Sequence, residues 1–143
     1  MTLKNIEENA IINIISKHTS GGETDSMELV TTGCFYQKGR KFYIFYNESE
    51  EMEMANCSVM MIADGDKVTM RRSGEYELKL TYVAGESESV VYYMPYGEMN
   101  MTQTTKSVSC NLSDGGGTID IDYSLFISGE EQRTSINIKV KRK

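Results

Sequence analysis

The sequence predicts an all-β fold, a single antiparallel up-and-down barrel of about eight to ten strands. Three observations carry that expectation. Apolar and polar residues alternate with a period of two, glycine-bearing turn signals recur roughly every ten residues, and no segment has the apolar spacing of a long helix.

At the start of the chain Leu3, Ile6 and Ala10 stand at helical spacing, so residues 1–9 are expected to form an irregular or short helical lead-in. Strand-like runs rich in β-branched, aromatic and Met residues follow: Ala10 to Lys17, Met27 to Gln37, Lys41 to Tyr46, Ser58 to Asp64 and Lys67 to Arg72. Tyr76 to Tyr82 alternates cleanly, as a strand with one wet face does. Ser89 to Met94 and Thr105 to Leu112 are less one-sided. Ile119 to Ile127 has apolar odd positions and polar even positions except Phe126, and Ile136 to Lys141 alternates in the same way.

The turn signals are Lys38-Gly39, Asp64-Gly65-Asp66, Ser73-Gly74, Ala84-Gly85-Glu86, Asp114-Gly115-Gly116-Gly117 and Ser128-Gly129-Glu130. Met94-Pro95-Tyr96-Gly97 suits a type I corner, with Tyr96 projecting at the rim. Strands joined by short hairpins are usually neighbours, and closure of such a meander removes its bare edges. A β-sandwich is the alternative. With 143 residues, 39% of them hydrophobic, and no linker or repeat, residues 1–143 read as one domain.

A formal charge of −6 argues against a nucleic-acid partner, since phosphates call for a basic footprint. No apolar run has the length of a membrane span, and Met1 to Glu8 lacks the pattern of a secretory signal. Cys34, Cys57 and Cys110 are odd in number and widely spaced, which suits reduced thiols in the cytoplasm better than zinc ligands or a disulfide framework. In that compartment the Asn-x-Ser/Thr matches at Asn47, Asn56, Asn100 and Asn111 carry no sugar.

The segment Gly33 to Ser49 (GCFYQKGRKFYIFYNES) resembles the second and third strands of the YwiB-like bacterial proteins of unknown function. So do Arg72-Ser73-Gly74, Tyr93-Met94-Pro95-Tyr96-Gly97 and Asp122-Tyr123-Ser124-Leu125, and the likeness runs from about Ile11 to the C-terminus. The resemblance implies a calycin-like, lipocalin-type barrel. It brings no established activity and therefore no catalytic residue.

Read for chemistry, the residues favour a non-enzymatic protein without a cofactor or metal. His18, the only histidine, reads as a strand end running into the Thr19-Ser20-Gly21-Gly22 loop, with no motif to orient it for catalysis. Asp64-Gly65-Asp66 begins like a calcium loop, but Val68 stands at the fifth position, where an oxygen ligand is wanted, and Glu75 at the twelfth is not enough by itself, so it reads as a hairpin; Asp120 and Asp122 read as a solvated strand face. Gly115 to Gly117 reads as a flexible hairpin loop, without the Lys-Ser/Thr of a phosphate loop. In the tail, Lys139 and Lys141 fall on a wet strand side and the last two residues are expected to fray.

Three features stand out. Period two points Arg72 inward with Val68 and Met70, where it needs a partner such as Glu48 or Glu75; an ion pair closing a barrel end is favoured over an anion anchor. Asn47 to Asn56, with Glu48, Glu50, Glu51, Glu53, Met52 and Met54, reads as a long acidic loop that could act as a lid. Tyr43, Phe45, Met60 and Ile62 read as an outward apolar patch for homodimerisation, unless the N-terminal segment covers it.

The leading functional expectation is a cytoplasmic module binding a small apolar ligand with an acidic end. Its interior would be lined by Leu78, Leu80, Tyr82, Ile121, Tyr123 and Leu125, with ligand contacts at Arg72, Glu48, Tyr82, Tyr96 and Tyr123. The 10 Met residues suit either an adaptable cavity or an ordinary core. A protein–protein adaptor working through the apolar patch is the second expectation, and a hydrolase a distant third.

Overall fold

The computed structural model describes residues 8–48 and 57–143, which form ten antiparallel strands. They are β1 (Ala10–Ser20), β2 (Glu23–Lys38), β3 (Lys41–Asn47), β4 (Cys57–Asp64), β5 (Lys67–Gly74), β6 (Leu78–Tyr82), β7 (Ser87–Met94), β8 (Gly97–Ser113), β9 (Gly116–Ile127) and β10 (Glu130–Arg142). Each strand expected from the sequence is present, and most are longer than their apolar residues suggested. β8 begins at Gly97, eight residues before Thr105, because its polar Asn100 and Thr102 turn their side chains out to water. The Leu3 and Ile6 part of the lead-in lies outside the described residues.

The strands run in the order β6-β5-β4-β3-β2-β1-β10-β9-β8-β7, an up-and-down meander whose first and last strands pair. That pairing extends from Ala10↔Arg142 to Thr19↔Arg133. The barrel is nearly closed, and its incomplete seam falls between β6 and β7.

β2 serves two neighbours. It pairs with β1 as far as Gly33 and with β3 from Cys34 onward. A Cβ at Gly33 would run into the Phe45 carbonyl and the Ile12 side chain, so this corner admits only glycine without rearrangement. Just beyond it, the Asn9 side chain replaces the lost ladder. Its Oδ1 accepts from the Phe35 N–H at 2.8 Å and its Nδ2 donates to the Phe35 carbonyl at 2.9 Å.

Three local expectations are corrected. His18 lies within β1, opposite Asp25 and Thr134, because the hairpin turns tightly at Gly21-Gly22. Gly116 and Gly117 belong to β9; a Cβ on either would strike the backbone of Val140 or Asn111, so close strand packing, and not looseness, calls for glycine. The end of the tail is held in place. Arg142 donates from Nε to the Asp114 carbonyl at 2.7 Å and stands over the Phe35 ring, and the Lys143 N–H bonds the Asn9 carbonyl at 2.9 Å.

Alternation places Ile12 and Ile14, Ile44, Val59 and Met61, Leu78, Leu80 and Tyr82, and Ile119, Ile121 and Tyr123 in one core cluster. Burying a side chain such as Leu80 or Ile121 contributes about 1.5–3 kcal/mol. The tyrosines Tyr82 and Tyr123 meet ring to ring at 4.9 Å inside the barrel.

Candidate functional site in the β6–β7 hairpin

β6 and β7 are consecutive strands that do not zip together. At the far end of the hairpin Glu77 and Tyr93 exchange both backbone bonds at 2.9 Å, and at the turn the Glu86 N–H donates to the Val83 carbonyl at 3.0 Å. Among the described residues no other backbone bond spans the hairpin. The turn is pinned to β8 instead, where Thr105 accepts from Gly85 at 2.8 Å and donates to Glu86 at 3.0 Å. Between these stitches Glu88 reaches across, its Oε1 accepting from the Thr81 N–H at 2.8 Å.

Backbone groups alternate sides along a strand. Since Glu77 faces β7 through its N–H and C=O, Lys79 and Thr81 do the same. The hairpin therefore opens in its middle, with main-chain donors and acceptors toward the gap. Over this opening lies a groove of about 570 Å³. Leu78, Val90, Val91 and Tyr93 give it apolar wall, while Arg71, Arg72, Lys79, Glu77 and Glu88 give it charge.

The two arginines have different roles. Arg71 is an outward, exposed residue directly opposite Lys79 on β6, also exposed. Two cations side by side on one sheet face repel each other and favour an anion between or beside them. Arg72 turns inward as expected, and of the two expected partners Glu48 is the one it meets: Nε donates to Glu48 Oε1 at 2.6 Å. The Glu48 side chain is only 1% exposed, so the pair is sealed from water on its acidic side. Burial alone would lower the Arg72 pKa; the hydrogen bond and charge of Glu48 outweigh it and leave the guanidinium firmly charged.

Around this ion pair stand phenols. Arg72 Nη1 lies 3.4 Å from the Tyr92 hydroxyl. Burial first, and then the charge of Glu48, raises the Tyr46 pKa, while Arg72 pulls it the other way. Burial also holds Tyr82 well above its usual range and raises Tyr123. Of the five expected ligand residues, Arg72, Glu48, Tyr82 and Tyr123 thus share the barrel interior. Tyr96 does not join them: it is 79% exposed on the β7–β8 turn.

The other candidates have quiet surroundings. His18 Nδ1 is 3.1 Å from Thr134 Oγ1. The Arg40 guanidinium bonds Asp64 at 2.6 Å and lowers its carboxyl pKa. Asp120 accepts from Asn137, and Asp122 from Ser135 and Ser107, on the outer face. Among the described residues no three His, Cys, Asp or Glu side chains gather as a metal site would need. Glu50, Glu51, Met52, Glu53 and Met54 of the expected acidic lid lie outside the described residues. The expected outward patch is contiguous, with Tyr43↔Ile62 and Phe45↔Met60 as register partners. Phe45, flanked by Cys34 and Met60, is only 7% exposed and so offers little contact surface.

The groove itself escaped the sequence. Periodicity reports which way side chains face, and it is silent on whether two adjacent strands bond. The one signal was the polar run Glu86-Ser87-Glu88-Ser89, which weakens the first half of β7.

A family model described as a domain of unknown function, DUF1934, matches residues 12–139. The chain is 29% identical over 111 residues to the uncharacterized beta-barrel protein YwiB of Bacillus subtilis (strain 168), covering 78% of this chain and 77% of that one. The crystal structure of the Bacillus subtilis ywiB protein superposes with a TM-score of 0.81 at 25% identity, over 92% of this chain and 91% of that one. Among the described residues no helix is long and apolar enough to cross a membrane.

Proposed function

This chain belongs to the DUF1934 family, and from its own geometry we propose that it is a non-enzymatic barrel binding a small organic acid with an apolar body. The ligand sits in the β6–β7 groove, its carboxylate against Arg71 and Lys79 and its apolar part along Val90, Val91 and Leu78. The observation that carries this reading is the unzipped middle of the hairpin, which lines about 570 Å³ with both cations and aliphatic side chains. A calycin-type cup would hold its ligand in the interior. Here Leu78, Leu80, Tyr82, Ile121 and Tyr123 pack against one another in the core, which favours the seam over the interior. Arg72 shapes the groove from behind, because Glu48 already occupies its guanidinium.

A binding role without catalysis fits the engagement of His18 by a threonine hydroxyl and the burial of Cys34 and Cys57. The thiol state of Cys34, Cys57 and Cys110 suits a cytoplasmic setting. The test is calorimetry with medium-chain alkyl carboxylates. Binding should weaken tenfold or more in Arg71→Gln/Lys79→Gln while circular dichroism is unchanged; equal binding by wild type and variant would exclude the site.

A second reading, association of two copies through the outer face of β2 to β4, is favoured by one observation. Tyr36 and Tyr43 stack at 4.9 Å, with Met60 and Ile62 half-buried on the neighbouring strand. Sedimentation of wild type against Tyr43→Lys decides it: a dimer lost in the variant supports the interface, and a monomer at high concentration removes it.

A further inference from the structure

A second and smaller cavity of about 240 Å³, sharing no lining residue with the β6–β7 groove, lies over β1, β2, β8, β9 and β10. Lys17, Lys106 and Arg133 all line it. Lys106 arrives there through an irregularity. The β8–β9 ladder shifts register between Thr105 and Ser107, so Lys106 is an extra residue with no partner of its own. Bulges of this kind re-aim a side chain and often sit beside functional sites. Lys17 and Arg133 come from adjacent strands, opposite Ser135 and Thr19 respectively.

The chain carries 21 acidic against 15 basic side chains, so carboxylates are plentiful. Yet among the described residues none of these three cations forms a salt bridge with one. Asp122, the one carboxylate among the described residues on the cavity wall, is occupied by the Ser135 and Ser107 hydroxyls. Three cations and one carboxylate leave a local charge of about +2, and the remaining lining carries the Ser124 hydroxyl and the Thr19–Thr24 hydroxyl pair, one of whose protons is left to donate.

We propose that this cavity binds a phosphate dianion, free or as a small phosphomonoester. The charge matches, the guanidinium of Arg133 offers a fork for two oxygens, and the lysines and hydroxyls supply the rest. The site is independent of the β6–β7 groove and stands or falls without it. Nucleic acid is disfavoured as the source because the charge of −6 over the whole chain repels a long polyanion.

The test is thermal unfolding and calorimetry of the full chain with inorganic phosphate and with glycerol 3-phosphate, against sodium chloride at equal ionic strength. Phosphate should raise the melting temperature above the chloride control, and affinity should fall tenfold or more in Lys106→Gln and in Arg133→Gln. Lys139→Gln, an exposed lysine that lines neither cavity, should bind as wild type does, and it controls for a general loss of positive charge. Tighter binding of the ester than of inorganic phosphate assigns the site to phosphomonoesters; equal binding assigns it to free phosphate. No rise over chloride, or equal binding by wild type and both cavity variants, overturns the proposal.

Discussion

Glu88 places a carboxylate oxygen 2.8 Å from the Thr81 backbone nitrogen, and this side chain stands where a neighbouring strand would otherwise bond. A charged side chain on an exposed strand edge blocks further strand pairing. The same contact keeps the hairpin open, since the Thr81 N–H is satisfied without any approach of β7 backbone.

Glu88→Ala should therefore act locally. Hydrogen bonds to charged groups contribute about 1.5–3 kcal/mol when buried, and this half-buried one should lie near the low end. Amide exchange at Thr81 should quicken at least tenfold in the variant while amides in β9 and β10 keep their protection. Hydrogen-exchange mass spectrometry resolves the two.

The Arg72–Glu48 pair should respond very differently to single and double substitution. Removing one partner leaves a buried charge uncompensated and costs about 3–5 kcal/mol. Arg72→Met and Glu48→Leu should each destabilise by that order in urea melts. The double variant should recover much of the loss, because two apolar side chains of similar size need no partner.

Gly33→Ala should destabilise by about 1–3 kcal/mol, the usual cost of forcing atoms into a packed corner. The clash is with the backbone of Phe45 as well as with a side chain, so Ile12→Val in the same chain should relieve only part of it. Equilibrium unfolding of the single and double variants measures both effects.

Alkaline pH should unfold the barrel. The Tyr46, Tyr82 and Tyr123 phenols are held above their usual value of 10.0 mainly by burial, so the unfolded chain releases these protons before the folded one does. Stability is then unaffected well below pH 10 and falls as pH rises beyond it, by about 1.4 kcal/mol per pH unit for each such group. Tyr46→Phe should flatten the slope of stability against pH above 10, measured by urea midpoints.

Much of the barrel was legible in the sequence because closure follows from local rules. Ile119 to Ile127 announces one wet and one dry face, and each Gly-bearing turn announces a reversal. The inward turn of Arg72 followed from the same arithmetic, and a buried guanidinium demands an acid, but the choice of Glu48 over Glu75 came only with the structure. What stayed hidden depends on distance between strands. Arg71 and Lys79 look like ordinary wet-face cations until register sets them side by side. Lys106 looks like one more surface lysine until a slipped ladder isolates it. His18 is hidden for a related reason: a polar strand end beside two glycines has the composition of a loop, and its pairing with Asp25 of β2 and Thr134 of β10 makes it a strand.

The pairing of β1 with β10 also governs how this chain can be made. Nearly every other ladder joins strands that emerge from the ribosome one after the other, whereas Ile14 must wait for Ile138. During synthesis the early strands form an open ribbon with an unsatisfied edge along β1, and the final ring closure is the one step with a large sequence separation and a slow search. A circular permutant that joins the β10 end to the β1 start and opens the chain at Gly85 would make that contact local, and it should refold faster than the natural order with the same ten strands.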